Sequence, residues 1–133
     1  MLIIWKKDFW RTCSNLFYDR GESSSLASSL RKNEHRTIAA IDPLKRKYIG
    51  RRGDVLIRKR LTEYGCGEIG KIYEGTNGTK IIKERGLKLP KMLKDIFNNL
   101  ASVVDFEEKK IRKLETVGFI CSGMLCYAIY LLT

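Results

Sequence analysis

Asp54, Glu63, Glu68 and Lys71 are the residues whose types and spacing suit chemistry. Asp54 follows Gly53 at the head of the apolar run Val55-Leu56-Ile57, and the two glutamates and the lysine come on the next strand-like run. Carboxylates from adjacent strands can hold a hard cation through oxygen, and a nearby ammonium can orient water or offset developing negative charge. A metal-dependent phosphodiesterase needs that set. The same residues also have a plainer reading, in which Asp54 ends a strand beside Arg52 while Glu63 and Glu68 neutralise a cationic surface.

Those carboxylates sit in the most basic part of the chain. The protein has 133 residues, with 26 Lys and Arg against 15 Asp and Glu, a formal net charge of +11. Residues 45 to 71 hold 9 basic and 3 acidic residues, more than half of the excess, in Lys45-Arg46-Lys47, Arg51-Arg52 and Arg58-Lys59-Arg60. A cluster of this kind is a phosphate-binding face, a nuclear import signal or a solvated surface. The charge points to a polyanionic partner, nucleic acid (DNA or RNA) or an anionic membrane surface, without saying which.

Other classes are set aside by composition. A 44% hydrophobic content with 10% aromatics is that of a globular chain and excludes wholesale disorder. The length suits one domain. Cys13, Cys66, Cys121 and Cys126 form no Cys-x-x-Cys and His35 is the only imidazole, so neither zinc nor a disulfide framework is expected, and the thiols are expected reduced and buried. MLIIWKKDFW reaches two lysines after five residues, too short an apolar run for a signal peptide or membrane span. The expected location is intracellular, nuclear or cytoplasmic, rather than secreted.

The elements that must position the carboxylates follow from periodicity. Ile3, Trp5, Phe9, Trp10, Cys13, Leu16 and Phe17 fall mostly at helical intervals, predicting an amphipathic helix over residues 2–18 that Gly21 ends. GESSSLASSLRKNEHRT reads as a loop or a weak helix with Leu26 and Leu30 inward. Asp42-Pro43 is a turn, and RKYIG, DVLIRK and TEYGCGEIGKIY are strand candidates. Asn77-Gly78 marks a tight turn, which takes precedence over the glycosylation sequon Asn77-Gly78-Thr79. Leu89, Met92, Leu93, Ile96, Phe97 and Leu100 form the buried stripe of a helix opened by Pro90, with Lys88, Lys91 and Lys94 extending the basic surface. The last 18 residues carry no charge. As a helix they would span about 27 Å, enough to raise a tail anchor, but their strand-favouring side chains and Ser122-Gly123 predict a buried hairpin.

Gly65-Cys66-Gly67-Glu68-Ile69-Gly70-Lys71-Ile72 touches several phosphate-binding patterns. As a P-loop it lacks the hydroxyl after Lys71, and as a dinucleotide fingerprint it opens onto no helix. As a kinase glycine-rich loop it fits better, with Ile81-Ile82-Lys83 as the lysine strand, yet no His-Arg-Asp or Asp-Phe-Gly follows. A kinase N-lobe-like fragment therefore remains an alternative.

GESSSLASSLRKNEHRT, IDPLKRKYIGRRGDVLIRK, EYGCGEIGK, NGTK and GLKLPKMLKDIFNNL together resemble a widely duplicated family of fungal proteins of the Mucoromycota lineage, from about Gly21 to the end of the chain. Its motif layout is similar to that of the restriction-endonuclease-like PD-(D/E)XK superfamily. The resemblance implies an α/β fold with an αβββαβ core and a helix-flanked mixed sheet. Residues 1–20 would be an N-terminal helix and 21–133 a single nuclease-like domain, a copy shortened relative to longer relatives. It also implies that Asp54 and Glu68 hold magnesium, that Lys71 is the catalytic lysine, and that Glu22 contributes from the first helix. One departure is plain: the pattern puts the lysine two residues after the acid, where this chain has Gly70, and Lys71 is one residue further. On an ideal strand Glu68 and Lys71 face opposite sides. Glu63 paired with Gly65 is the other placement, and it has no lysine. The expected activity is magnesium-dependent DNA hydrolysis. The alternatives are an inactive nucleic-acid-binding relative, the kinase-like fragment, or a tail-anchored basic membrane protein.

Overall fold

The computed structural model describes residues 17–35, 46–70, 84–122 and 125–132. Their elements are, in chain order, β1 (Phe17–Ser24), α1 (Leu26–Lys32), β2 (Arg52–Lys59), β3 (Thr62–Gly70), a π-helical turn (Glu84–Lys88), α2 (Leu89–Val103), α3 (Glu108–Ile111), β4 (Glu115–Ser122) and β5 (Leu125–Leu132). The strands form one mixed sheet in the order β1-β2-β3-β4-β5. Neighbours are antiparallel except β3 and β4, which run parallel. A parallel pair needs a crossover, and α2 lies in that connection.

The apolar stripe of α2 packs on the sheet as its spacing predicts, except that Phe97 is only half-buried. Leu89, Met92, Leu93, Ile96 and Leu100 meet Leu56 of β2, Cys66 of β3 and Ile120 of β4, with Ala27 of α1 closing the cluster. Pro90 stands in the first turn of α2, where its missing N–H leaves no helical bond unmade. Each buried leucine or isoleucine here contributes roughly 1.5–3 kcal/mol through removal from water.

Several expectations are corrected. Residues 17–20, expected to finish the N-terminal helix, are strand: Phe17 pairs with Arg58, Tyr18 with Ile57 and Arg20 with Val55. The boundary placed at residue 20 therefore falls inside β1, and the rest of the expected helix lies outside the described residues. Glu22 belongs to β1 and not to a helix. α1 does form, but Leu26 and Leu30 are exposed while Ala27 and Ser28 are buried. The small residues are inward because α1 must approach α2 and the sheet closely. RKYIG forms no strand. Instead Tyr48 exchanges backbone bonds with the Asn33 side chain (2.9 and 3.0 Å), and Arg51 O accepts from Ser25 N (2.8 Å). The Asp42-Pro43 turn and the Asn77-Gly78 turn lie outside the described residues.

The C-terminal run is the hairpin β4–β5, and among the described residues no helix is long and apolar enough to cross a membrane. The expectation that all thiols are reduced is overturned. Cys121 and Cys126 stand directly opposite in the antiparallel register, with Cα atoms 4.0 Å apart, and are joined as a disulfide. Sequence spacing did not reveal this pair because it depends on where the hairpin turns.

Candidate carboxylate site

β2 and β3 bring Asp54 and Glu68 to the same end of neighbouring strands. The ladder is regular through Leu56 opposite Cys66 and Val55 opposite Gly67, so Asp54 and Glu68 are the next residues on each strand. There the pairing opens: Ile69 N donates to the Asp54 side chain, Oδ2, at 2.7 Å. On the other edge of β2 the register with β1 shifts between Arg20 and Ser23 while Gly53 pairs with Ser23. Gly21 and Glu22 are thus a bulge beside Asp54, which places the backbone of Glu22 at the site by a route other than a helix.

Glu68 points to the α2 side of the sheet. Its side chain is 2% exposed, and its Oε1 lies 2.8 Å from Lys88 Nζ, itself 39% exposed. This is an ion pair and not an aligned hydrogen bond. Gly53 makes room for Met92 beside it: a Cβ there would sit 2.8 Å from Met92 Cε, while Glu68 Oε1, at 3.7 Å, would be in ordinary contact. Cys66, two residues before Glu68 on the same face, feels this cluster. Burial first, then the negative charges of Glu68 and Glu63, push its thiol pKa far up, against a smaller opposing effect from Lys88.

Glu63, the alternative acid, has a structural task. It is fully buried and accepts from Ser25 Oγ at 2.7 Å, Leu26 N at 2.7 Å and Ala27 N at 3.1 Å. Its carboxylate satisfies the first amides of α1 from a distant strand, where negative charge is favourable. Lys71 lies outside the described residues. Gly70 shares the Glu68 face in the strand and a Cβ there would approach Ser122 Oγ to 3.2 Å, so the position two after the acid has no side chain and little space for one.

The basic cluster divides. Arg46, Lys47 and Arg52 are exposed, Arg52 two residues before Asp54 on β2, and Lys91 is exposed one turn beyond Lys88 on α2. Arg58 and Lys59 at the opposite end of β2, and Arg60 just beyond it, stand roughly 13–20 Å from Asp54 at 3.3 Å per residue. Arg51 is turned inward: its Nη1 donates to Asp95 Oδ2 at 2.6 Å, and Arg31 Nε holds the other oxygen at 2.7 Å. Lys45 lies outside the described residues.

Sequence reasoning missed two partners. Lys88, read with the general basic surface, instead pairs with Glu68 across the layers of the fold. Asp95 is buried as the counter-ion of Arg31 and Arg51, and nothing in its spacing announced that. The glycines proposed as a kinase loop lie inside β3, between β2 and β4, so residues 65–70 form a strand where that loop was expected. Among the described residues no group of three or more His, Cys, Asp or Glu converges as a metal cage. Asp54 and Glu68 are oxygen donors of the kind magnesium takes, but Glu68 is buried with its Oε1 on Lys88 and Asp54 Oδ2 accepts from Ile69 N. No family model, curated protein or solved structure matches this chain.

Proposed function

We propose that this protein is a nucleic-acid-binding domain of the restriction-endonuclease-like kind that hydrolyses DNA phosphodiesters with magnesium held by Asp54 and Glu68. The observation that carries the reading is the arrival of Asp54 and Glu68 at the same end of the neighbouring strands β2 and β3, with Lys88 paired to Glu68 and Arg52 two residues before Asp54. The topology supports it as well. β1, β2 and β3 are antiparallel with the acids on the second and third, and a helix then leads to a strand parallel to the third, which is the βββαβ part of the implied core with α1 inserted. A magnesium ion bound there would supply Lewis acidity and a more acidic water. Arg46, Lys47 and Arg52 would bind the phosphate backbone leading into the site, and RNA would meet the same cations.

The test is magnesium-dependent cleavage of plasmid and single-stranded DNA by the purified chain beside Asp54→Ala. The expected result is cleavage by the wild type and a loss of at least about 100-fold in the variant, the scale on which removing charge stabilisation acts. No cleavage by the wild type, or equal cleavage by both, removes the enzymatic reading.

One observation favours a second reading, an inactive relative that binds nucleic acid without chemistry: Lys88 already neutralises Glu68. That reading expects salt-sensitive DNA binding with no cleavage under any divalent cation.

A further inference from the structure

We propose that residues 46–51 are a platform for single-stranded nucleic acid, on which a base stacks on the Tyr48 ring while Arg46, Lys47 and Lys32 hold the neighbouring phosphates. The inference rests on the nucleic-acid-binding reading above, whose ligand it names more closely, and is independent of the carboxylates and of catalysis. Tyr48 is 59% exposed and Ile49 beside it 58%. An exposed apolar residue is ordinary by itself. Its company is not: residues 31–35 and 46–52 hold six Lys and Arg against one acidic residue, Glu34. Phe106, 63% exposed, is the contrasting case, since Asp105, Glu107 and Glu108 flank it in the chain and would repel a phosphate.

The platform is held from behind. Residues 46–51 belong to no helix or strand, yet their backbone is bound at successive points to α1 and its caps. Tyr48 O accepts from Asn33 Nδ2 at 2.9 Å and from Ser29 Oγ at 3.2 Å, and Tyr48 N donates to Asn33 Oδ1 at 3.0 Å. Lys32 Nζ donates to Ile49 O at 2.8 Å, and Ser25 N to Arg51 O at 2.8 Å. Gly50 is buried in the seam, where a Cβ would stand 1.9 Å from Ser25 O. Arg51 turns inward onto Asp95. The bonds at Tyr48 and Ile49 use only their backbone atoms, so three polar side chains fix a segment whose own large apolar groups face water.

That arrangement suits a single strand. In a duplex the base faces are stacked on one another, and a ring outside reaches only edges and backbone. In a single strand every base offers a π-face, so stacking tolerates sequence and takes DNA and RNA alike. Arg46 and Lys47 directly precede the ring, and the Lys32 ammonium lies on the carbonyl of the residue after it, so cations stand on both sides of Tyr48 along the segment. Because the backbone is already fixed, binding requires little further ordering of the protein.

The experiment compares the wild type with Tyr48→Ala, Tyr48→Phe, the double change Arg46→Gln with Lys47→Gln, and the remote control Phe106→Ala, all in the full chain. Fluorescence anisotropy without divalent cations measures affinity for oligothymidylate, oligouridylate, a duplex and an abasic strand, each of about 12 nucleotides. Tyr48→Ala is expected to bind both base-bearing single strands about tenfold more weakly, the scale of one lost base–aromatic stack, with an unchanged salt slope because no phosphate contact is lost. Its affinity for the duplex and the abasic strand should equal that of the wild type, which also shows that the variant is folded. Tyr48→Phe keeps the ring and should bind as the wild type does, as should Phe106→Ala. The double change should flatten the single-strand salt slope by about 0.7 for each phosphate released. The inference alone is overturned if Tyr48→Ala binds oligothymidylate and oligouridylate as tightly as the wild type, or if its loss is equal on the abasic strand. If the wild type binds none of the four probes, the nucleic-acid reading falls and takes this inference with it.

Discussion

Single residues in this protein have been given tasks that their types alone do not disclose. Glu63 and Glu68 are five apart on β3 and look alike in sequence, yet one caps a helix through three hydrogen bonds and the other meets an ammonium. Removing Glu63 leaves buried donors without an acceptor, so Glu63→Ala is expected to lower stability by about 2–4 kcal/mol in urea unfolding, with Glu63→Gln intermediate. Cys66 gives a pH prediction with a definite sign. Its thiol pKa is raised in the folded protein by burial and by the two glutamates. Above the ordinary thiol pKa of about 8.5 the unfolded chain loses a proton that the native chain retains, so stability falls as pH rises, by up to about 1.4 kcal/mol per pH unit. The contribution is fully present below that pH. Unfolding curves between about pH 7 and 10 should show the decline, and Cys66→Ala should flatten it. A slope identical in both proteins would mean that other groups carry the alkaline dependence.

Elements differ in how openly the sequence announced them. α2 was legible because its stripe repeats at helical spacing over four turns and its first turn has Pro90. β2 and β3 were legible as strands, as was the final hairpin. β1 was not, since Phe17 and Tyr18 continue a helical spacing and only their pairing with Arg58 and Ile57 makes them strand. Local preference yielded there to a partner far along the chain. The glycines of β3 misled for a related reason. They resemble a loop motif, but a Cβ on Gly65 would stand 2.3 Å from Val117 O, so glycine there serves the close approach of β4. Gly65→Ala is accordingly expected to be among the most damaging single changes, more than about 3 kcal/mol or outright failure to fold, read by circular dichroism and urea unfolding. The β2–β3 hairpin invites the opposite change. Arg60 has φ 56°, a left-handed conformation that L side chains hold at a cost of roughly 1–2 kcal/mol. Arg60→Gly should raise stability by about 1 kcal/mol while removing one cation from the hairpin tip.

For the whole molecule, the excess of positive charge was legible in composition but its layout was not. The sequence groups Arg51 with the phosphate-binding cations, whereas the fold assigns it to Asp95. Its replacement should weaken the fold and leave the salt dependence of DNA binding unchanged. Replacing Arg46, Lys47 and Arg52, or Lys59 and Arg60, should each reduce the log-log salt slope by about 0.9 for every duplex phosphate that is no longer neutralised. Fluorescence anisotropy across a salt series measures this, and an unchanged slope for the hairpin pair would confine the footprint to Arg46, Lys47 and Arg52. The placing of Asp54 and Glu68 at one end of neighbouring strands was within reach of motif spacing, because both acids ride on strands whose alternation is visible. The pairing of Glu68 with Lys88 was not, because Lys88 comes from another layer. The same central strand bears on how the chain emerges during synthesis. Val117 is 52 residues downstream of its partner Gly65, so at roughly 5–20 residues per second the β4 edge of β3 waits several seconds for its neighbour. An open strand edge is a template for aggregation. Glycine at 65, 67 and 70 and a charge at 68 make this one a poor template, so the residues that let β4 dock also guard the nascent chain until it arrives.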